Sequence, residues 1–372
     1  MKRLLRVALV AWLVLGAGRL AFGQAVTVNY LDRGTNKRAG VRGTIKGESP
    51  AGLKVESRGG VKVIPALDVL RVTYDLKGTD VPELDYRRPF GKEDAALEPA
   101  TSAKARKKDL EDALQAYQEL DAKLRTALPS AHRYLRYKAA HVKALLAQDD
   151  PARLDDAVAA LAAYRADNPG TWEVVPCLKE LAQLQEQKGD AEAAGKTYAE
   201  LAALPGLPKE LKEQSDIWLA RLLVRSGKYD QAEKKLQGLR TAVARDDPQR
   251  GYIDVYLAQC RLGQGHLGQV EAPLRETIRT SPDANVKGLA HNLLGDYYRH
   301  KNQAREAFWE YLKVDMLYNQ DREEHAKALY HLWKLFDKAK NDPMRAAEFL
   351  EKLKGEQFAG TFYQTQALKE QR

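Results

Sequence analysis

The chain has 372 residues, 44% of them apolar and 30% charged, with a formal charge of +9. Four cations, Lys2, Arg3, Arg6 and Arg19, fall in the first 23 residues, which hold no acid, so the rest carries +5, a mild excess that gives only a general field toward anionic surfaces. No stretch beyond residue 23 is apolar enough to span a bilayer, which excludes a polytopic membrane protein.

Residues 1–23 have the pattern of a secretion signal. A positive start precedes an apolar run over residues 7–16, and small residues follow at Ala21 and Gly23, with Gly23 and Ala25 as the other pair. No Cys lies near residue 23, so no lipid anchor is expected. The mature protein is expected to be exported, periplasmic or extracellular, with peripheral envelope association left open.

Residues 24–76 carry short β-branched runs, VTVNY, VRGTIKG, LKVES, VKVI and VLRVTY, separated by the turn signals GTNKRAG, ESPAG, SRGG and PALD. Alternation over such lengths predicts a small antiparallel barrel. The order resembles SH3-like and Sm-like barrels, with residues 64–68 as the short turn before the last strand. That resemblance implies RNA binding for Sm-like rings, which an exported chain makes a poor expectation; a docking barrel is expected instead. Residues 77–104 contain three prolines and no helical stripe, and read as an extended or mobile linker. The cluster Lys104, Arg106, Lys107 and Lys108 reads as a solvated helix start.

From residue 105 onward the pattern is helical, and it repeats. Gly189, Gly227 and Gly265 are 38 residues apart, and small or β-branched residues follow at Ala157, Ala194, Ala232, Val270, Ala307 and Ala347, spaced 37, 38, 38, 37 and 40. Each unit reads as apolar helix, tight turn, apolar helix; in the third, Leu219, Ala220 and Leu223 precede Gly227, and Ala232, Leu236 and Leu239 follow it. A turn glycine supplies a left-handed residue after the helix end, and Asn302 stands in its place in the fifth unit. Neither helix of a unit can bury its stripe alone, so the units must stack.

The pattern resembles the tetratricopeptide repeat family over roughly residues 131–355. It is carried by Leu178, Leu181, Ala182, Gly189, Ala194, Tyr198 and Pro205 in the second unit and by Leu294, Gly295, Tyr298, Ala307 and Tyr311 in the fifth. The period exceeds the family's about 34 residues. The resemblance implies an α-helical solenoid of about six helix pairs over residues 105–372, closed by a polar capping helix in TFYQTQALKEQR. It also implies that the first helix of each unit lines a concave groove. Carrying the phase over gives the candidate positions Lys179, Gln183, Trp218, Arg221, Arg225, Tyr252, Tyr256, Gln259, Asn292, Asp296 and Arg299. This aromatic and polar mixture suits an extended peptide or a partner helix, although packing between units competes for Trp218, Tyr252 and Tyr256. Lys179 fits the family's carboxylate clamp, but Trp218 replaces an expected Asn, so no clamp is expected. Tyr297, Tyr298, Trp309 and Tyr311 are expected in the core.

Residues 263–268 spell G-x-G-x-x-G, but a helix pattern precedes them and Gly265 is the repeat's own turn, so no dinucleotide site is expected. The seven histidines show no metal-ligand spacing, and Asp155-Asp156 and Glu323-Glu324 are adjacent acids that do not face each other on a helix. Cys177 and Cys260 lie more than two repeats apart and are expected to be separate buried residues. No metal, cofactor or small-molecule substrate is expected. The reading is an exported, non-enzymatic scaffold that binds a protein partner in the cell envelope or periplasm. The alternative is a binding module for an anionic polymer, nucleic acid or polysaccharide, through the barrel and basic surface.

Overall fold

The computed structural model describes residues 25–98, 100–339 and 342–371; the signal assigned to residues 1–23 lies outside them. Five strands open the described chain: β1 (Ala25–Asp32), β2 (Lys37–Ser49), β3 (Gly52–Ser57), β4 (Gly60–Pro65) and β5 (Val69–Tyr74). They form one antiparallel sheet in the order β4-β3-β2-β1-β5. Residues 66–68 make the expected short 3₁₀ turn before β5.

The sheet is not a closed barrel. Its alternating apolar face, with Val28, Leu53, Val55 and Val72 fully buried, joins one apolar cluster with the first helices instead of folding onto itself. The outer edge of β5 is also taken: its Val72 N–H donates to the Tyr134 hydroxyl at 3.2 Å and its Tyr74 N–H to the Tyr86 hydroxyl at 3.4 Å. Edge groups satisfied by side chains have no need of β4.

Fifteen α-helices follow among the described residues: α1 (Glu83–Leu97), α2 (Ala103–Leu124), α3 (Pro129–Asp149), α4 (Leu154–Asp167), α5 (Val174–Lys188), α6 (Ala191–Ala203), α7 (Lys209–Arg225), α8 (Tyr229–Ala242), α9 (Gln249–Gly263), α10 (Glu271–Thr280), α11 (Ala284–His300), α12 (Ala304–Leu317), α13 (Arg322–Ala339), α14 (Pro343–Lys354) and α15 (Phe362–Glu370). The pairs α3/α4 to α13/α14 are the expected six units, and α15 is the cap.

Helix α1 corrects the expected linker. Its buried face is Tyr86, Pro89, Phe90, Glu93 and Ala96. A proline and a glutamate on that face interrupt the apolar stripe by which a helix is read. Packing supplies what the pattern lacks: Phe90 meets Tyr117 edge-on at 5.2 Å, and Glu93 accepts from the Tyr117 hydroxyl at 2.7 Å and the Lys138 ammonium at 2.5 Å. The sheet is therefore fused to the solenoid through this helix and shares its core. The basic start of α2 is likewise paired in part, Arg106 with Asp149 at 3.2 Å and Lys107 with Asp150 at 3.7 Å.

The repeat turns are built alike. Gly189, Gly227 and Gly265 have φ of 87°, 71° and 81°, and Asn302 has 58°. In each, the next residue's N–H reaches back to the last helical turn: Asp190 to Gln185 O, Lys228 to Leu223 O, His266 to Arg261 O and Gln303 to Tyr298 O, at 2.8–2.9 Å. This bond closes the helix end on a left-handed residue. Ala157, Ala194, Ala232, Val270 and Ala307 are fully buried where the paired helices meet. In the last unit Ala346 holds that place and Ala347 is exposed, one residue short of the expected spacing. Cys177 and Cys260 are free and buried.

The apolar interior is divided. One cluster fuses the sheet with α1–α5, takes in Leu201 of α6, and ends at Leu211 of α7. Beyond it, separate clusters serve α7–α9, α9–α13 and α13–α15. Between the two parts lies a four-residue cluster, Ala182, Ala194, Tyr198 and Leu222. Consecutive first helices pack directly at α3/α5, α7/α9, α9/α11 and α11/α13, whereas α5 and α7 are held mainly through α6.

The units wind far enough for the last to meet the first. Arg322, at the start of α13, lies 3.6 Å from Asp149 at the end of α3. Gly360, with φ of +80°, sits so close to the same helix end that a Cβ there would stand 2.6 Å from the Gln148 carbonyl oxygen. Among the described residues no helix is long and apolar enough to cross a membrane.

Candidate functional site

The first helices of successive units present their polar residues to a common inner face, and the candidate groove positions divide into three kinds there. Gln183, Arg225 and Arg299 are exposed. Lys179, Trp218, Arg221, Tyr252, Gln259 and Asp296 are half-buried, and Tyr256 and Asn292 are buried.

At the α5/α7 joint, Glu186 organises the contacts. It takes Arg221 at 2.8 Å, Arg225 at 3.3 Å and the Tyr198 hydroxyl at 2.6 Å. Trp218 packs 5.9 Å from the Tyr198 ring, and the Lys179 ammonium stands 5.3 Å from the Trp218 centroid. Burial, with the like charge of Arg221 nearby, lowers the Lys179 pKa. Lys179 forms a cation–π contact with Trp218.

Further along, the Tyr252 hydroxyl donates to Asp283 at 3.0 Å, which ties α9 to the start of α11. Burial pushes the Tyr256 hydroxyl up to about 12. Asn292 is not a lining residue: its amide donates to the Glu324 carbonyl oxygen at 2.8 Å and to the Glu324 carboxylate at 2.7 Å, fixing α11 to α13. Asp296 accepts from Lys327 at 2.6 Å and the Tyr311 hydroxyl at 2.7 Å. Burial works against its charge, but the Lys327 ammonium overrides this and keeps the carboxyl below its usual range. Arg299 donates to His331 Nδ1 at 2.8 Å, and burial beside the Arg299 and Lys327 cations holds that imidazole neutral, down to about 3.

Sequence reading missed Glu186 and Tyr198 at the α5/α7 joint, and the far wall of this face on α13 and α15: Glu323, Glu324, Lys327, His331 and Tyr363. The 39-residue step from Ala307 to Ala346, carried on from Asn292, reaches His331 on α13, but it does not reach Glu324 or Lys327, which lie earlier on that helix. Glu323 and Glu324, adjacent acids that do not face each other on α13, both have their pKa values raised by burial. Tyr363 stacks edge-on with His331 at 5.6 Å, and the Arg225 guanidinium acts on both Glu323 and Tyr363. The inner face is therefore narrow, with α7 and α13 within electrostatic reach across it. Of the expected core aromatics, Tyr297, Tyr298 and Tyr311 are buried, but Trp309 is 51% exposed on the outer side of α12. The G-x-G-x-x-G run ends helix α9 at Gly263 and continues into the repeat turn, as expected.

No family model and no curated protein matches the chain. Solved structures do. A tetratricopeptide repeat protein from Parabacteroides merdae is 15% identical, with a TM-score of 0.53, and the match covers 76% of this chain and 97% of that one. The apo form of RapI is 14% identical, with a TM-score of 0.47 and coverage of 77% and 76%. PilF of Pseudomonas aeruginosa is 16% identical, with a TM-score of 0.38 and coverage of 64% and 99%. The first of these likenesses agrees with the repeat turns and helix pairs: the fold is a tetratricopeptide-like α-solenoid preceded by an open five-stranded sheet.

Proposed function

We propose that the protein is an exported, non-enzymatic scaffold that holds a protein or peptide partner on the inner face of its solenoid, in the cell envelope or periplasm. The observation that carries this reading is the succession of inner polar and aromatic groups, one set per unit, on helices whose backbones the repeat fixes in advance. Pre-ordered groups lose little entropy on docking. Gln183, Arg225 and Arg299 supply exposed polar contacts beside the half-buried Trp218. The charged groups beneath them are tied in pairs, Glu186 with Arg221 and Asp296 with Lys327, an arrangement that holds helices rather than moving protons. Export rests on the composition of residues 1–23. The anionic-polymer alternative loses support from the pairing of Arg106 and Lys107 with α3.

A photo-crosslinking residue at Gln183 or Arg225, compared with one at the exposed outer position Lys234 on α8, tests the face in native cells. The reading expects one partner captured from the inner positions and absent from Lys234. Equal capture at all three, or capture by Lys234 alone, overturns it. Cell fractionation with N-terminal sequencing tests export, which fails if the protein keeps Met1 and stays in the cytoplasm.

A further inference from the structure

The contact between the first and last units joins two parts that are each anchored to their own surroundings. On one side, α3 lies inside the large fused cluster, with Leu135, Val142 and Ala147 fully buried. On the other, the segment after α14 is anchored to its own unit. Phe358 is buried beneath His325, and Gln364 donates to the carbonyl oxygens of Leu353 and Gly355 at 3.0 and 3.1 Å. Arg322 bonds the Ala359 carbonyl oxygen and reaches Asp149, which Arg106 also holds. Gly360 then meets the backbone of Gln148 directly. Between these two parts lies the joint of the second and third units, where α5 and α7 meet mainly through α6 and Glu186, Arg221 and Arg225 supply polar links.

We infer that the solenoid is a latched ring: the α6/α7 joint is its hinge, the Asp149–Arg322 and Gln148–Gly360 contacts are its latch, and opening the latch widens the inner face for a partner. The latch is an ion pair in which both side chains are about one-third exposed, together with one close backbone approach. Such a contact is weak and salt-sensitive. The hinge is placed where the first helices α5 and α7 meet mainly through α6 and are joined by polar links. That a partner enters rests on the scaffold reading; that the ring opens does not.

Two spin labels test the opening without any partner. Ala152 and Gln357 are exposed beside the two halves of the latch, and the native Cys177 and Cys260 are fully buried, so introduced cysteines there take the label. In the purified full chain we expect one short distance at low salt. Arg322→Ala with Gly360→Val is expected to add a longer population and to speed amide exchange over residues 323–327 by about tenfold or more. Because Gly360→Val could also disturb its own loop, Asp149→Asn alone and high salt on the unchanged latch serve as second perturbations. An unchanged distance under all three, with intact circular dichroism, overturns the latch and leaves the scaffold reading standing. If the ring opens but crosslinking yield at Gln183 and Arg225 does not rise, opening the latch does not widen that face for a partner.

Discussion

The two halves of this molecule solve the same packing problem differently. From Ala25 to α5 the protein has one apolar cluster shared by a sheet and five helices; Tyr134 alone lies within 6.4 Å, centroid to centroid, of Tyr74, Phe90, Tyr137 and Trp172. From α7 onward the interior is cut into separate clusters, and polar pairs across the inner face link one unit to the next. A fused core resists bending, whereas a chain of small cores joined by polar contacts allows it, as expected of a repeat array with nearest-neighbour stability.

The most severe challenge to this contrast is Tyr134→Ala. It removes a fully buried ring and the hydroxyl that takes the β5 edge, and is expected to cost about 3–5 kcal/mol. Denaturant unfolding followed by hydrogen exchange should show the sheet and α1–α5 loosening together. Loss confined to the sheet would mean that the two are not fused.

A pH titration probes the same half. His141 lies 2.9 Å from Glu180 and 3.6 Å from Glu93, and although burial disfavours its charge, Glu180 raises its pKa to about 9. A raised folded-state pKa stabilises fully below the unfolded value near 6.5 and loses that contribution as pH rises to about 9, here on the order of 1–3 kcal/mol. The midpoint of unfolding should fall across that window, and His141→Gln should flatten the fall. A profile that is equally steep in the variant would assign the effect elsewhere.

In the second half, Ala232→Trp overpacks the α7/α8 pair and is expected to cost about 1–3 kcal/mol, with faster exchange in α7–α9 and unchanged protection in α1–α3. Destabilisation spread evenly over the chain would erase the contrast. Smallest of all, Glu186→Gln should cost about 1 kcal/mol while raising exchange selectively at the α5/α7 joint. No local change there would show that the polar links do not govern it.

What the sequence made legible follows from how local each signal is. The turn glycines and Asn302 declare a backbone conformation by themselves, so four helix ends could be read from single residues. Ala194, Ala232 and Ala307 declare a close approach in the same way. Helix α1 could not be read, because its stability comes from partners far along the chain: Tyr117 and Lys138 satisfy the buried Glu93. The sheet's strands were legible by alternation, but not their failure to close, which depends on hydroxyls from Tyr86 and Tyr134 arriving at β5. At the inner face the repeat phase found the right helices, but it could not tell a lining residue from a tie such as Asn292, since both occupy the same side.

The meeting of Asp149 with Arg322 also counts. A stack of identical modules has no intrinsic stopping point, and duplication or loss of one 38-residue module would leave every turn and every helix pair intact. It would nonetheless rotate and lift the far end by a full step, carrying Arg322 and Gly360 away from α3. Selection acting on that single touch would hold the module number at six, so the ends of this chain act as a ruler for its middle.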